Sequence, residues 1–594
     1  MNPTSIATRS FRFVRNRLRV SDSFNQRINM RYKRTCGTVP SLDGESKACA
    51  SAAVDATTEK VDAIFARWNK PDSPGCVCAV IQDGKIVHAR GYGMEDLEHN
   101  VALSPESVFY IASMAKQFTA ASIALLVMGG KLSLDDDIRR PLPEMAEMPK
   151  PITVRHLVHH MSGLRDHFDL LGLIGWRDTD YLNNEMLVKL LSRQCTLNFE
   201  PGTRYEYSNS NYVLLAEIVK RASGQSLRQF SRERIFQPLG MTHTHFDDDY
   251  REIVPHRVIS YIPKPGGWLQ LLKESDSYGA GNLLTTVDDL ARWDGNFSSG
   301  QVGGVPLLQL IHTRGTLDNG KVLDYAFGLM HGEYRGLATV QHAGGYKGFR
   351  AEMIRFPAQN FTVIVLGNAA TLNPTQAAQE VADVYLANTF TAPAQARAPV
   401  PQAIAVEHVP IEIDPMRFDE LAGAYELKGR SGIILTVIRE NDRFYAQATG
   451  QRRVEIYPWA EDAFSCPIAD AKLTFHRDAD GSVRRLTLRQ GGENEAVRVD
   501  QFSVPTTELA GYVGTYTSAE LVTTYTLHIE EGRLVAQHPR VGSLTLIPQS
   551  HDRFITAGAV VNFLRDAYGV ILALTVSING LESYVRFDRE ERER

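Results

Sequence analysis

The sequence predicts a multi-domain protein in which a mixed α+β region is followed by two small antiparallel β-barrels. Three observations carry this. At 594 residues the chain exceeds what one hydrophobic core can organise and suits roughly two to four domains. Between residues 53 and 390 helical stretches alternate with hairpin signals. From residue 416 onward apolar and polar positions alternate, and the text then repeats itself. The expected divisions are a basic extension over 1–52, the mixed region over 53–390, a linker over 391–415, and β repeats over 416–503 and 504–594.

Hydrophobic residues form 43% of the chain and charged residues 22%, the proportions of a soluble globular protein. No apolar run approaches the roughly 18 residues that a membrane-spanning helix needs. Residues 1–34 hold eight Arg and one Lys against Asp22, so their charge of +8 leaves −13 for the rest of a chain whose total is −5. A mildly acidic body argues against nucleic acid as a partner. The head places Phe11, Phe13, Val14, Leu18 and Val20 among its arginines but lacks the apolar core of a secretory signal. It leaves three readings open: an organelle transit peptide, an extension from a misplaced start codon, and a tail for nucleic acid or a membrane surface. Cys36, Cys49, Cys76, Cys78, Cys195 and Cys466 show no C-x-x-C spacing, and Cys76 and Cys78 would share one strand face as packed thiols. A reducing compartment is expected, the cytoplasm first and an organelle as the alternative. No metal or nucleotide motif occurs, so no cofactor is expected.

In chain order, Ala53 to Trp68 reads as an amphipathic helix. Gly75–Val80 and Lys85–Tyr92 flank Asp83-Gly84, a strong hairpin signal. The next helix opens around Ser113, runs through the apolar stretch Ala120–Met128, and ends at Gly129-Gly130. His156, His159 and His160 stand at metal-ligand spacing. No nearby carboxylate or cysteine completes a site, so a helix face running into the Ser162-Gly163 turn is preferred. Tyr205 to Tyr212 leads into a helix built on Val213, Leu214, Leu215, Ile218 and Val219, which ends near Gly224. Tyr278-Gly279-Ala280-Gly281-Asn282 is a glycine-rich approach to a helix capped by Thr286. Strands are expected over Leu337–Gln341, Phe349–Phe356 and Phe361–Leu366, with His342-Ala343-Gly344-Gly345 after the first.

Three short patterns carry candidate chemistry. Ser113 and Lys116, three apart at a helix start, lie on one face. A lysine held in a dry core has its charged form disfavoured and can act as a base near neutral pH, although an exposed helix start is the simpler alternative. Tyr207 and Asn209, two apart before a helix, present both side chains one way. Tyr207 could take a proton if a neighbouring ammonium lowered its pKa, the alternative being a turn tyrosine with a capping asparagine. His342, followed by Gly344 and Gly345, stands at a strand end where a ligand could approach closely; such a histidine is more often structural.

Ser113-x-x-Lys116, Tyr207-x-Asn209 and His342-x-Gly344, in that order, together resemble the serine β-lactamase and penicillin-binding protein superfamily, most closely its class C β-lactamase, esterase and D-aminopeptidase branch. The family's third motif is usually Lys-Thr-Gly, and His-x-Gly resembles D-aminopeptidase-like members. Lys116-Gln117-Phe118-Thr119, Met161 to Asp166, Glu233 to Phe236 and Gly345 to Arg350 look like the same branch, so the resemblance covers about residues 55–390. It implies an antiparallel sheet covered by helices, a helical lobe over about 110–290, and a site in the cleft between them. It also implies that Ser113 attacks a carbonyl while Lys116 and Tyr207 remove its proton. The N–H groups of Ser113 and Gly345 would form the oxyanion hole, Asn209 would hold the substrate amide, and His342 would orient or protonate.

In the tail, Thr436, Glu440, Arg443, Pro458, Asp462 and Phe464 recur as Thr526, Glu530, Arg533, Pro548, Asp552 and Phe554, and Phe475 to Gly481 recurs as Phe563 to Gly569. Each copy suits a small antiparallel barrel. Two barrels behind a catalytic domain look like the layout of the D-aminopeptidase branch, in which a loop of the last barrel offers a carboxylate to the substrate's amino group. Here Ile555 to Asn562 holds no acid, which puts free N-terminal D-residues in doubt, and Asp552 and Asp566 are expected to be structural. The expected function is a serine hydrolase acting through an acyl-serine on a peptide with D-residues or an ester. β-Lactamase activity is an alternative, less favoured because a resistance enzyme has no need of two appended barrels. A non-catalytic scaffold is the other, and it predicts motif decay that is not seen. A small molecule or short peptide is the expected substrate, and a homodimer is left open.

Overall fold

Asp83 (φ 52°) and Gly84 (φ 72°) supply the two positive φ angles that a type I′ turn requires, and they fold the first hairpin. The hairpin joins β1 (Cys76–Gln82) to β2 (Lys85–Tyr92). In this computed structural model the description covers residues 56–393 except 178 and 265. It also covers 411–590 except 429–432, 441–442, 449–453, 467–470, 491, 500–501, 557–558 and 579–584. The basic head with Cys36 and Cys49, and most of the expected linker, lie outside the described residues.

Later strands complete the sheet: β3 (Met330–Tyr334), β4 (Leu337–Tyr346), β5 (Phe349–Phe356) and β6 (Phe361–Gly367). The order is β3-β4-β5-β6-β1-β2, with every pairing antiparallel. The hairpin thus forms one edge, as expected. Successive side chains of a strand point to opposite faces, so β1 divides its residues between two cores. Cys76, Cys78 and Val80 pack with Val61 and Phe65 of the helix over 56–65 (α1). Val77, Ala79 and Ile81 face the helical lobe together with Met353 and Ile364. Cys76 and Cys78 are buried free thiols, and burial pushes both well above the ordinary thiol range.

Two expectations need correction. The helix expected to open at Ser113 is a 3₁₀ turn over Ala112–Ala115, and the α-helix α2 (Lys116–Met128) begins only at the lysine. Lys116 to Leu126 are all buried, so the helix is enclosed on more than the face of its apolar run. A helix buried all round belongs at the centre of a lobe, and its polar groups find partners there. Thr119 Oγ1 donates to the Gly279 carbonyl (2.8 Å), and Trp293 Nε1 donates to Gln117 Oε1 (2.6 Å). The strand before His342 is also longer than expected. Pairing with β5 continues through His342↔Met353 to Tyr346↔Phe349, carrying the histidine and both glycines into the sheet.

Three further helices position the site: α3 (Val154–Val158), α4 (His167–Leu173) and α5 (Asn209–Ser223). The tail is two closed eight-stranded barrels. The first runs from β7 (Gly423–Leu427) to β14 (Glu493–Arg498). The second begins with β15 (Gly514–Ser518), β16 (Thr523–Glu530), β17 (Arg533–His538) and β18 (Gly542–Ser550). It closes with β19 (Arg553–Thr556), β20 (Ala559–Arg565), β21 (Ile571–Ile578) and β22 (Val585–Arg589). The repeat acts at the level of contacts. Asp462 accepts from Arg477 Nε (2.9 Å) and its carbonyl from Phe475 N (2.8 Å), while Asp552 accepts from Arg565 Nε (2.8 Å) and its carbonyl from Phe563 N (2.8 Å). These aspartates close barrel hairpins, and the Asp566 carboxylate accepts from the nearby Tyr568 and Val570 N–H groups (2.8 Å each).

The barrels differ in their cores. Phe418, Phe444, Phe464 and Phe475 fill the first as a cluster of its own, whereas the interior of the second is continuous with the helical lobe. Tyr525 of β16 donates to the Leu173 carbonyl at the end of α4 (2.9 Å), Arg540 pairs with Asp180, and Arg165 Nη1 meets Glu520 at 2.8 Å. The Arg165 and Glu520 side chains are only 6% and 12% exposed. Burial lowers the pKa of Arg165 and raises that of Glu520 despite their attraction, the signature of a pair whose desolvation is costly. Replacing Arg165 by Met should therefore destabilise the protein by about 3 kcal/mol in equilibrium unfolding at pH 7, and the double variant R165M/E520M should regain most of that loss.

Candidate active site

The backbone is strained where Ser113 is presented. Ala112 holds φ 47°, a left-handed conformation that a residue with a Cβ rarely adopts, and it turns the chain directly before Ser113. In the 3₁₀ turn that follows, residues three apart eclipse, so Ser113 and Lys116 share a face as the spacing predicts. Lys116 Nζ lies 3.1 Å from Ser113 Oγ and donates to Asn209 Oδ1 (2.8 Å) and to the Ala280 carbonyl (2.6 Å). The lysine is fully buried, and desolvation brings its pKa down to about 7 against a smaller opposing pull from Asp166.

The acceptors around Lys116 arrive from distant chain segments. Gly279, at φ 102°, passes so close to α5 that a Cβ would lie 2.4 Å from the Tyr212 carbonyl oxygen, and this approach delivers Ala280. Asn209, the first residue of α5, is held by Asp166, whose Oδ2 accepts from both its backbone N–H (2.6 Å) and its Nδ2 (2.9 Å). Asp166 is also the N-cap of α4, accepting from Phe168 N (2.9 Å). It stands within the Met161–Asp166 text that resembled the family, but no side-chain pattern marked it as a site residue.

Ser113 is close enough to the Tyr207 phenol to oppose the rise in its pKa, and the Lys116 side-chain nitrogen sits 4.9 Å from the Tyr207 ring centre. The expected lowering of the Tyr207 pKa is reversed. Burial raises it well above the ordinary phenol range, and a lysine that is itself near neutrality supplies too weak a field to compensate. Tyr207 is therefore a neutral phenol.

His342 is buried on β4, with its ring centre 6.4 Å from that of Tyr207. The hydrogen-bond pattern fixes its tautomer. His160 Nδ1 accepts from Ser208 N (3.2 Å) and Asn211 Nδ2 (3.1 Å), so its Nε2 donates to Tyr325 Oη (3.2 Å). The Tyr325 hydroxyl then donates to His342 Nε2 (3.4 Å), and His342 Nδ1 donates to the Ala343 carbonyl (2.6 Å). Burial lowers the His342 pKa to about 4, with Lys116 adding to the shift, so the ring is neutral and its Nε2 is an acceptor. His160 and Tyr325 were not foreseen as parts of the site. The His160 ring lies under Tyr207, centre to centre 4.3 Å, so the histidine read as helix-cap text supports the site phenol instead. The expected helix itself is the short α3, whose Thr153 cap is completed by His156, and the three histidines do not converge. Among the described residues, the one group with metal-ligand geometry is His245, Asp247 and Glu252, which is engaged with Arg228, Arg257 and Lys273.

The two glycines part company. A Cβ at Gly344 would lie 2.2 Å from the Ile111 carbonyl oxygen, so this glycine lets β4 pack against the turn that bears Ser113. Gly345 is exposed, and β3 covers β4 only as far as Gln341, which leaves His342 to Tyr346 as an open strand edge.

The β-lactamase family profile matches residues 60–387, more than half of the chain, and a domain of unknown function (DUF3471) matches residues 407–500. Penicillin-binding protein 4* of Bacillus subtilis is 28% identical over 440 residues, which are 70% of this chain and 93% of that protein. D-aminopeptidases of Gluconobacter oxydans and Brucella anthropi are 27% and 30% identical over 54% and 50% of this chain, and the matches span 60% and 56% of their own lengths. Among solved structures, the octameric penicillin-binding protein homologue from Pyrococcus abyssi aligns with 75% of this chain and 99% of its own, at 21% identity and a TM-score of 0.49. Among the described residues no helix is long and apolar enough to cross a membrane.

The buried amine makes stability depend on pH. Between about pH 7 and the ordinary lysine pKa of 10.5, the unfolded chain keeps a proton that the folded protein has lost, so stability rises with pH across that window. Lys116→Met removes this titration. The stability of K116M relative to wild type should be greatest below pH 7 and should fall by up to about 5 kcal/mol by pH 10, measured by denaturant unfolding across pH.

Proposed function

The chain belongs to the β-lactamase family and is a serine hydrolase, and from that premise we propose that it cleaves an ester or a peptide bearing D-residues through an acyl-serine at Ser113. One observation carries the assignment of residues: a fully buried Lys116 amine, its pKa near 7, lies 3.1 Å from Ser113 Oγ. Near neutral pH about half of such amines are unprotonated and can accept the serine proton.

In the first step Ser113 Oγ bonds to the substrate carbonyl carbon while its proton passes to Lys116. The carbonyl oxygen takes up negative charge and is met by the N–H groups of Ser113 and Gly345, each such donor contributing about 3 kcal/mol in this kind of reaction. The leaving group departs with a proton relayed from Lys116 through the Tyr207 hydroxyl. A neutral phenol beside Ser113 suits relay, which refines the expectation that it serves as a base. Water then attacks the acyl-serine while Lys116 takes its proton, the bond from the carbonyl carbon to Ser113 Oγ breaks as that proton passes to Oγ, and the acid product leaves. Asn209, clamped by Asp166, faces the substrate amide. His342 has its acceptor nitrogen turned to Tyr325 and its other nitrogen tied to its own chain, so we assign it positioning of Tyr207 and not proton donation.

Ester or peptide substrates are favoured over β-lactams because two barrels follow the catalytic domain in the chain, and because matched relatives include enzymes named D-aminopeptidase. A fluorophosphonate probe should label Ser113 in the folded protein and leave Ser113→Ala unlabelled; equal behaviour of the two would sink the reading. Turnover of D-alanine p-nitroanilide, p-nitrophenyl butyrate and nitrocefin ranks the substrate classes. With the best substrate, kcat/KM should rise with pH through a limb near 7 as Lys116 loses its proton, and Lys116→Ala should lower it by about 10²–10⁴.

A further inference from the structure

Alternate residues of the second barrel point inward, and at one end of the barrel they enclose space instead of filling it. A cavity of about 610 Å³, within the size range of ligand sites, is lined there by Leu527, Leu544, Leu546, Val561, Leu574 and Val576. Elsewhere in the barrel interior Tyr512 packs against Phe554 (5.1 Å) and Phe563 (4.6 Å). The catalytic domain adds Phe168, in the first turn of α4, and Tyr346, on β4, to the cavity lining.

Those two residues tie the cavity to the reaction centre. Tyr346 directly follows Gly345 on the open edge of β4, and Phe168 donates its N–H to Asp166, the carboxylate that holds Asn209. From there α4, seven residues or about 10 Å long, forms one wall of the cavity as far as Leu173, whose carbonyl accepts from Tyr525. The contacts from Tyr525, Arg540 and Glu520 hold the barrel mouth against this helix. The hairpin that could have carried an acid toward the substrate lines the cavity with Thr556, Ala559 and Val561.

We propose that the second barrel is the acyl-chain site of the hydrolase: its lumen takes the aliphatic tail of an ester or amide whose carbonyl lies at Ser113. The proposal rests on the hydrolase reading and names the substrate class for the same site. Where the barrel supplies its lining the cavity is mainly aliphatic and rewards each buried methylene, whereas Asp169, Arg177, Asp180 and Glu274 line it from the catalytic-domain side. The tail would enter past Phe168 and Tyr346.

Two arms test it. In the first, Ser113→Ala is titrated with dansyl-undecanoic acid. Saturable binding at one site, displaced by decanoate and weakened at least tenfold in both S113A/L544W and S113A/V576W, is expected. Absence of saturable binding, or binding unchanged by both tryptophans, would overturn the proposal. Leu544 is only half-buried, so L544W keeps the test alive if V576W fails to fold, with melting curves as the check. In the second arm, wild-type kcat/KM for p-nitrophenyl decanoate should exceed that for the acetate by at least about tenfold, and the ratio should drop at least tenfold in L544W. A flat profile, or a preference seen only for acetate esters of long alcohols, would overturn the acyl assignment. Failure of fluorophosphonate labelling would remove the hydrolase reading while the binding arm still decides whether the lumen is a site.

Discussion

An ammonium moved from water into a protein interior loses hydration worth several kcal/mol, and Lys116 escapes most of that cost by giving up its proton. The catalytic half is arranged to make this outcome useful. Asn209 and the Ala280 carbonyl accept from the amine and fix its position, while the one nearby carboxylate, Asp166, is spent on Asn209 and does not touch the lysine. Had Asp166 paired directly with Lys116, the ion pair would have held the amine charged and useless as a base. The carboxylate therefore acts at one remove, through geometry.

A second constraint follows from the first. A dry amine needs a closed site, and closure requires the sheet to press against the turn that bears Ser113. Backbone meets backbone there: Gly344 lies against Ile111, and Gly328 would place a Cβ 2.5 Å from the Gln117 nitrogen. The glycine beside His342 is thus a packing requirement, and only its neighbour Gly345 faces the cleft. The same packing buries His160, Tyr325 and His342 as one neutral hydrogen-bonded chain under Tyr207, so the phenol is held by groups that add no charge to the site.

What was legible in the sequence, and what was not, divides along this line. Asp83-Gly84 and the Phe349–Phe361 hairpin signalled themselves because turn chemistry is local. The duplicated barrels were visible because two copies share contacts, the Asp462–Arg477 and Asp552–Arg565 clamps among them. Ser113, Lys116, Tyr207, Asn209 and His342, which the structure brings together, were marked by motif, but the direction of the Tyr207 pKa shift was not, since it depends on how much protein surrounds the ring. Asp166, His160 and Tyr325 escaped for a related reason: each acts on another residue, at a sequence distance that no periodicity reports. The 3₁₀ start before Lys116 was hidden too, because a left-handed alanine leaves no mark in composition.

The two barrels show how duplication permits divergence. Their hairpin clamps and their Tyr425 and Tyr516 hydroxyls, each bonded four residues back, are the same device twice, so the scaffold was kept. The environments differ. The first barrel closes on its own phenylalanines, and among the described residues its core is a cluster separate from that of the catalytic lobe. The second shares one continuous apolar core with that lobe, reached across α4. A helix with the Asp166 cap at one end and the barrel mouth at the other is a short lever between them. A change of packing in the lumen that shifted α4 by a fraction of an ångström would be felt first at Asp166, then at Asn209, then at the Lys116 amine. This coupling requires no moving part, only that densely packed interiors transmit displacement instead of absorbing it. It gives the last barrel a physical route to influence the chemistry without placing a residue in the cleft.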